Sequence, residues 1–331
     1  MSGLRRLSIV LGIAGLALAT SLIAWFGAGT VWHEVVSVGP LGLATVCAWQ
    51  MLLFAALGFG WFMVTPPGER WPVGLFVWAR MVRDGASNCL PFSQVGGIVF
   101  GIRVAIQHGM PWSLAAASTA ADVTAEFIAQ IALIAAGGII LADHAPQSPY
   151  TEPLVIGVVI AMVAVGAFIW LQRGAAGVLT PLSRRILGMW HLDAEARMNQ
   201  LQAEMTRIYG NPARVAASVV IHCVSWFGTG VASWIAFRLV GSGIRLLDAL
   251  AIEALLHAVL ASAVLVPGYA GVQEAAYVGI GALFGQSADV ALGVSLLRRA
   301  RDLALGIPIL LIWQASELRQ HRASAARERA R

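Results

Sequence analysis

The stretch Leu265-Val-Pro-Gly-Tyr-Ala-Gly-Val-Gln-Glu-Ala275 interrupts an apolar run with a proline and two glycines, and places the carboxylate of Glu274 just beyond the interruption. In lipid, a backbone group without a hydrogen-bond partner costs on the order of 2–7 kcal/mol, so a lipid-facing helix is not expected to break here. Such breaks are tolerated where the backbone faces other protein or a watery cavity. The stretch therefore predicts a broken helix at an internal polar site.

A second stretch, Asn88-Cys-Leu-Pro-Phe-Ser-Gln-Val-Gly-Gly97, has the same arrangement in the first half of the chain, with a proline followed by a polar residue and glycines. Two broken apolar segments in the two halves of a membrane protein indicate a transport site. The residues of these helix-break motifs are Pro91, Gly96, Gly97, Pro267, Gly268 and Gly271.

A single offset of 176 positions superimposes the two stretches and the segments that follow them. The matched pairs are Pro91 with Pro267, Gly109 with Gly285, Asp122 with Arg298, and Glu126 with Asp302. Apolar, glycine-rich segments also align with one another by chance, which is the alternative explanation. We interpret the match as an internal repeat.

The composition is typical of a polytopic membrane protein. Of 331 residues, 58% are hydrophobic and 12% are charged, whereas a soluble domain carries about 25% charged residues. The net charge is +5, but the arginines concentrate in loops and in the C-terminal tail, where they set orientation and contact anionic headgroups. We therefore expect no nucleic-acid partner. The three cysteines show no metal-ligand spacing, so we expect no metal and no cofactor.

We predict an all-α polytopic integral membrane protein with about six transmembrane helices and two broken or re-entrant helical hairpins. The chain forms one membrane domain, residues 1–331. Its predicted segments are a first helix (7–26), repeat one (40–141), a connecting helix (153–171), a cytoplasmic amphipathic segment (173–211), repeat two (212–316) and a basic cytoplasmic tail (317–331). Whether the hairpins re-enter or cross the membrane fully does not change the predicted orientation of the other segments.

The distribution of arginine predicts the orientation of the chain. The loops 27–39 and 142–152 lack arginine and are expected outside, whereas both termini are expected in the cytoplasm. Three single crossings separate the two hairpins, so the hairpins open from opposite faces and the repeat is inverted. In the cytoplasmic segment, apolar residues at helical spacing predict a helix that lies on the inner leaflet or against the bundle.

Charged residues occur inside two of the predicted spans. Asp122 and Glu126 share one face of the third span, and Arg298, Arg301 and Asp302 share a face of the last. Each charge near the bilayer centre costs roughly 2.5–3.5 kcal/mol, so such residues normally face a cavity or one another. We expect Asp122 to pair with Arg298 and Glu126 to lie near Arg301.

Two interpretations of these charges remain open. They are either static ion pairs between helices, or they line a polar cavity in which arginines receive a headgroup and a carboxylate couples to a proton or substrate. The same choice applies to Glu253 and His257, which are a structural pair or a proton relay. Arg80, Arg83 and Asp84 either line the cavity or extend to the inner surface. The candidate substrate or coupling residues are Asp122, Glu126, Glu274, Arg298, Arg301, Asp302, Asn88, Gln94 and Arg83.

The sequence resembles a known family. The stretch VPGYAGVQEAA is similar to the proline-glycine-glycine-valine-glutamate signature of the flippase-like membrane domain of lysylphosphatidylglycerol synthases. The stretches RMVRDGASNCLPFSQVGGIVFGIR, DVTAEF and LLRRARD resemble its hopanoid-biosynthesis-associated HpnL-type branch. By position, the motif residues are Asn88, Pro91, Pro267, Gly271 and Glu274. The resemblance covers nearly the whole chain.

This resemblance implies a lipid-handling protein of the inner membrane of a hopanoid-making bacterium, with re-entrant hairpins in inverted repeat. The chain ends after its last predicted helix, so we expect no aminoacyl-transferase domain, and aminoacylation is not implied. Membrane lipids, including hopanoids, are the expected ligands.

Our leading hypothesis is a lipid transporter that moves a hopanoid or an associated polar lipid across or within the inner membrane. One alternative is a non-catalytic accessory subunit that holds hopanoid-biosynthesis enzymes at the membrane. Another is a membrane enzyme that modifies a lipid headgroup, with Glu274 or the Asp122 and Glu126 pair as acid and base. Because no catalytic motif is recognisable, we expect that the protein is not an enzyme.

Overall fold

The described chain is all-helical, as predicted. The computed structural model describes residues 28–68, 71–90, 93–144, 194–263, 269 and 271–329, together with most of 156–170. Its helices are α1 (Ala28–Val64), α2 (Val73–Cys89), α3 (Ser93–Gln107), α4 (Trp112–His144), α5 (Ala194–Tyr209), α6 (Pro212–Leu239), α7 (Leu246–Ser262), α8 (Val272–Leu283) and α9 (Ala288–Arg329). The described residues within 156–170 are also helical.

Three segments among the described residues are long and apolar enough to cross a membrane. They are Val36–Val64 of α1, α4 and α6, and the sequence predicted all three. The predicted span 7–26 lies outside the described residues, and α9 carries several charges in its apolar part. The total of about six spans therefore stays a prediction.

α1 consists of two helical pieces, and the second begins at residue 40, where the sequence placed the start of repeat one. The helix begins at Ala28 and is kinked at Gly39, where φ is 75° and ψ is 167°. Glycine adopts this positive φ without the steric penalty of a side chain, and proline suits the first turn of the helix that follows. Residues 28–38, which the sequence analysis placed in a loop, are therefore helical.

Both broken segments form pairs of packed helices. The arms α2 and α3 pack on each other, as do α7 and α8. Leu90 is extended (φ −111°, ψ 153°), as expected for a residue before proline, and Gly271 takes a φ of 77° just before α8. Three of the predicted break residues, Pro91, Pro267 and Gly268, lie outside the described residues.

The helix contacts are reciprocal between the two halves. When α1, α2, α3 and α4 are exchanged with α6, α7, α8 and α9, each close helix pair among these eight maps onto another close pair. For example, α2 packs on α9 while α7 packs on α4. Two hydrophobic cores result, one around the first pair of arms and one around the second.

The exchanged helices α1 and α6 run antiparallel. The indole nitrogen of Trp49 donates to the carbonyl oxygen of Gly228 (2.8 Å), and Nε of Arg214 donates to the carbonyl oxygen of Met63 (2.9 Å). Residue numbers thus rise along α1 as they fall along α6. α1 and α6 therefore point in opposite directions where they meet.

The described part of the amphipathic segment forms α5 and packs against the bundle; its residues 173–193 lie outside the described residues. Met205 and Ile208 are buried in the core around α2 and α3, and Leu201 packs on the same core. The guanidinium of Arg197 lies 5.8 Å from the ring centroid of Trp112 at the start of α4. Of the two predicted positions for this helix, the structure selects the one against the bundle.

Candidate functional site

A cavity of about 140 Å³ lies between the two halves of the molecule. Residues of α1, α2, α4, α6, α7, α8 and α9 line it, so both hairpins and both long helices that follow them contribute. Its charged lining residues are Arg80, Asp84, Glu126, Glu253, Arg298, Arg301 and Asp302. Of the residues that the sequence predicted for this site, Asn88, Glu126, Arg298, Arg301 and Asp302 line the cavity, whereas Arg83, Asp122 and Glu274 do not.

The first charge cluster consists of Arg80, Arg83 and Asp84 on α2 with Asp122 and Glu126 on α4. Nη2 of Arg80 lies 2.6 Å from Oε1 of Glu126, and its Nε lies 3.0 Å from Oδ2 of Asp84. Arg83 bridges the two α4 carboxylates, with 3.0 Å to Asp122 and 2.7 Å to Glu126. The residues share these contacts because three- and four-residue spacing places them on one face of each helix.

The arginines of α2 are buried inside the protein. The exposed fraction is 4% for both Arg80 and Arg83. Side chains that extend to the membrane surface keep their charged ends in water, which these do not. The structure therefore excludes the surface position as the explanation for both residues.

Asp122 also contacts His222 on α6, a residue that the sequence analysis missed. Nε2 of His222 lies 2.9 Å from Oδ1 of Asp122, and both side chains are completely buried. The only sequence signal was a histidine in the middle of an apolar span, which by itself more often marks a core residue. The partner on α4 became visible only once α4 and α6 were packed together.

The second charge cluster consists of Glu253 and His257 on α7, Tyr277 on α8 and Arg298 on α9. Arg298 forms an ion pair with Glu253, which also accepts a hydrogen bond from the hydroxyl of Tyr277 (2.9 Å). Nε2 of His257 lies 3.1 Å from the Glu253 carboxylate. The ring of His257 packs edge-on against Trp226 of α6, with 4.5 Å between centroids.

The predicted pairing between the long helices was wrong. Asp122 binds Arg83 and His222 rather than Arg298, and Arg301 pairs with its neighbour Asp302 at 2.7 Å rather than with Glu126. The prediction considered charges on the long helices alone. In the structure, the hairpin arms α2 and α7 supply the complementary charges, so each half neutralises its own long helix.

Glu274 lies at the break of the second hairpin and does not belong to the residues that line the cavity. Its Oε2 accepts a hydrogen bond from the backbone N–H of Gly271 (2.9 Å), and its Oε1 accepts one from Nη2 of Arg299 (2.8 Å). These contacts satisfy a free N–H at the start of α8 and attach α8 to α9. Glu274 therefore fixes the start of α8 and its attachment to α9.

Gly97 of the first motif allows the arms of the first hairpin to approach closely. A Cβ atom at Gly97 would lie 2.0 Å from Oγ of Ser87 and 2.5 Å from the carbonyl oxygen of Arg83. Gly96 begins the described side chains of α3, whereas the side chain of Gln94 lies outside them. The contact at Gly97 fixes α3 against the part of α2 that carries the arginines.

Positively charged hydrogen-bond donors and negatively charged acceptors surround one cavity. The guanidinium groups can bind a phosphate or carboxylate, and the carboxylates can bind an amine or a hydroxyl. Among the described residues, no group of three His, Cys, Asp or Glu side chains is placed to hold a metal ion.

Comparisons with known proteins identify the family. The family described as "Lysylphosphatidylglycerol synthase TM region" matches residues 12–309. Neither the comparison with curated proteins nor that with solved structures returned a match. The family match spans both hairpins, the helices between them and both charge clusters. The chain is therefore a multi-pass membrane protein linked to lipid handling, and it belongs to the family of lysylphosphatidylglycerol synthase transmembrane regions.

Proposed function

We propose that this protein is a lipid transporter whose cavity accepts a polar headgroup while the apolar part of the lipid stays in the bilayer. The observation that carries the proposal is the cavity between the two hairpins, whose lining includes seven charged side chains. Charged side chains within a membrane normally mark a substrate or ion pathway. The family adds the link to lipids.

We further propose that the two halves form an inverted repeat with re-entrant hairpins. The reciprocal helix contacts and the antiparallel packing of α1 on α6 support this arrangement. The arms α2, α3, α7 and α8 contain 17, 15, 17 and 12 residues, fewer than the roughly 20 of a typical span. Inverted repeats allow a central site to open alternately to the two sides.

The lipid that we propose is a hopanoid or an associated polar lipid, moved across or within the bacterial inner membrane with both termini in the cytoplasm. The sequence motifs of the first hairpin and of α9 support a hopanoid as the substrate. The distribution of arginine supports the cytoplasmic position of both termini. A cavity with both arginines and carboxylates suits a headgroup that offers hydrogen-bond donors and acceptors together.

Lipid movement in vesicles reconstituted with the pure protein tests the proposal. The assay compares several headgroup-labelled lipids and three proteins: wild type, Glu126→Gln and Glu204→Gln. Glu126 lines the cavity, whereas Glu204 pairs with Arg207 on α5, away from it. We expect fast movement of at least one lipid by wild type and by Glu204→Gln, and loss of most of it in Glu126→Gln.

The same vesicles separate transport from the two alternatives. A lipid of changed mass in the vesicles indicates headgroup chemistry and would make the protein an enzyme. If wild type moves none of the tested lipids but co-purifies from its host with lipid-biosynthesis enzymes, the accessory role replaces the transporter. Equal movement by Glu126→Gln and wild type would remove the cavity from the transport path.

A further inference from the structure

The first charge cluster carries more negative than positive groups. The carboxylates of Asp84, Asp122 and Glu126 share the two guanidiniums of Arg80 and Arg83. An unpaired charge in a buried site is strongly unfavourable, so a further positive charge nearby would stabilise the cluster. The second charge cluster differs, because one carboxylate there faces one guanidinium.

The group placed to supply that charge is His222. Because Asp122 is bonded to the permanently charged Arg83, its carboxylate is ionised and acts as an acceptor. At 2.9 Å from Oδ1 of Asp122, Nε2 of His222 must therefore be the protonated nitrogen and donate. The tautomer follows from this partner.

The second ring nitrogen of His222 is free to take a proton. Within the described part of the chain, Nδ1 is buried and has no hydrogen-bond partner. Protonation at Nδ1 thus breaks no existing hydrogen bond and converts the ring to an imidazolium. Ser218, one turn earlier on α6, also has a buried hydroxyl without a described partner.

His222 is close to the cavity. Ser225 and Trp226, one turn further along α6, both line it. From His222, contacts run through Asp122 and Arg83 to Glu126, which also lines it. A charge gained or lost at His222 therefore acts on a cavity residue through two shared hydrogen-bond partners.

The charged groups around His222 come from several helices. From α4, Asp122 contacts it directly and Glu126 lies within electrostatic reach. From α2, Arg83 and Arg80 act through those carboxylates. The neighbour on α1 is Gly60, where a Cβ atom would lie 3.1 Å from Nε2.

Helices α5, α7 and α9 contribute no hydrogen bond or ion pair to His222 within the described residues. The nearest histidine on α7, His257, packs on Trp226 and pairs with Glu253 instead. The carboxylate side of His222 thus faces an excess of negative charge without a competing cation beyond the two arginines of α2.

We propose that His222 is a proton-binding site that controls transport by setting the charge of the first charge cluster. With the proton on Nδ1, carboxylates and cations in the cluster are balanced; without it, the excess negative charge weakens the hold on Glu126 at the cavity. The proton comes from water and returns to water, so only one N–H bond forms and breaks. The role in transport rests on the proposed function, whereas the proton site does not.

Nuclear magnetic resonance of the full-length protein in lipid nanodiscs, with ¹⁵N-labelled histidine, tests the proton site directly. We expect the ring to be an imidazolium at the acidic end and neutral at the alkaline end of the pH range over which the nanodiscs are stable. A His222 ring that keeps one protonation state throughout overturns the proposal. The His222→Gln variant assigns the signal.

If the His222→Gln variant does not fold, the His222 signal can be assigned in a second way. The chain has seven histidines, so a protein that keeps His222 and replaces the others gives the same signal alone. Both routes measure protonation without any transport assay.

The pH dependence of lipid movement tests the link to transport. We expect wild type and His108→Gln to show the same pH profile, because His108 bonds to a backbone carbonyl at the end of α3, away from the cluster. We expect His222→Gln to lose the pH dependence that wild type shows. An unchanged profile in His222→Gln overturns the link. If wild type moves no lipid, the transporter proposal fails while the resonance measurement still decides the proton site.

Discussion

The two charge clusters occupy corresponding places in the two halves but have opposite polarity. In the first, the hairpin arm α2 carries the arginines and the long helix α4 carries the carboxylates. In the second, the arm α7 carries Glu253 and the long helix α9 carries Arg298. Asp122 and Arg298, which the proposed repeat aligns, thus have opposite charges. Both halves contain an ion pair between the hairpin arm and the long helix. Which of the two helices carries the positive charge differs between the halves.

The clusters also differ in how many charges they contain. The first holds five charged side chains and a histidine, with Asp122 completely buried. The second completes one ion pair with a tyrosine hydroxyl and a histidine ring. If Arg298 is removed, Glu253 keeps hydrogen bonds to two neutral side chains. If a charged side chain of the first cluster is removed, its partners are left with an uncompensated buried charge. Substitutions should therefore destabilise the first cluster more than the second.

The largest effect is expected from Arg83→Leu. It removes a partner from both Asp122 and Glu126, and breaking a buried ion pair on one side costs about 3–5 kcal/mol of unfolding free energy. Reversible unfolding in mixed micelles measures the loss. The control is Arg207→Leu in the exposed pair with Glu204, where we expect at most about 1 kcal/mol. Equal losses would contradict the burial of charge in the first cluster.

Arg298→Leu is expected to be milder, with a loss of about 2–3 kcal/mol, because Glu253 keeps Tyr277 and His257 as partners. A double-mutant cycle between Arg298 and Glu253 should give a coupling energy of about 1–3 kcal/mol. In the matched cycle, Arg299 replaces Arg298, since its described ion pair is with Glu274. If the coupling energy between Arg299 and Glu253 is as large as that between Arg298 and Glu253, the assignment of Arg298 as the partner of Glu253 is wrong.

The hairpins themselves provide a third comparison. Gly97→Ala forces a methyl group against Ser87 and the backbone of Arg83, so we expect a loss of about 1–3 kcal/mol from overpacking. Gly279→Ala, on α8 of the second hairpin, meets nothing within 4 Å and should leave stability unchanged or slightly raised. Thermal unfolding of both variants measures the difference. Similar values would mean that the arms of the first hairpin are not in close contact.

The smallest effect is expected from Glu274→Gln. The amide retains an oxygen for the N–H of Gly271 but loses the ion pair with Arg299, so we expect a loss of about 1 kcal/mol. Because Glu274 lies outside the cavity lining, lipid movement should continue in this variant. If Glu274→Gln keeps native stability but loses transport, Glu274 takes part in transport and this prediction is wrong.

Several features of the fold were predictable because they depend on local sequence. The apolar length of α4 and α6 is a property of each segment, as is the apolar stripe that buries Met205 and Ile208 in α5. The two breaks were predictable because proline and glycine act on the backbone where they stand. The cavity residues Glu126 and Arg298 followed from the cost of charge in a membrane.

The sequence by itself determined the class of the protein, its broken segments and the side chains that need a polar environment, since these follow from hydropathy and backbone chemistry along the chain. Only the tertiary structure decided which charges meet. Arg83 and His222 are separated from Asp122 by 39 and 100 residues, and they reach it because α2 and α6 lie beside α4. Ion pairing acts over a few ångströms, so partners follow from packing and not from spacing along the chain.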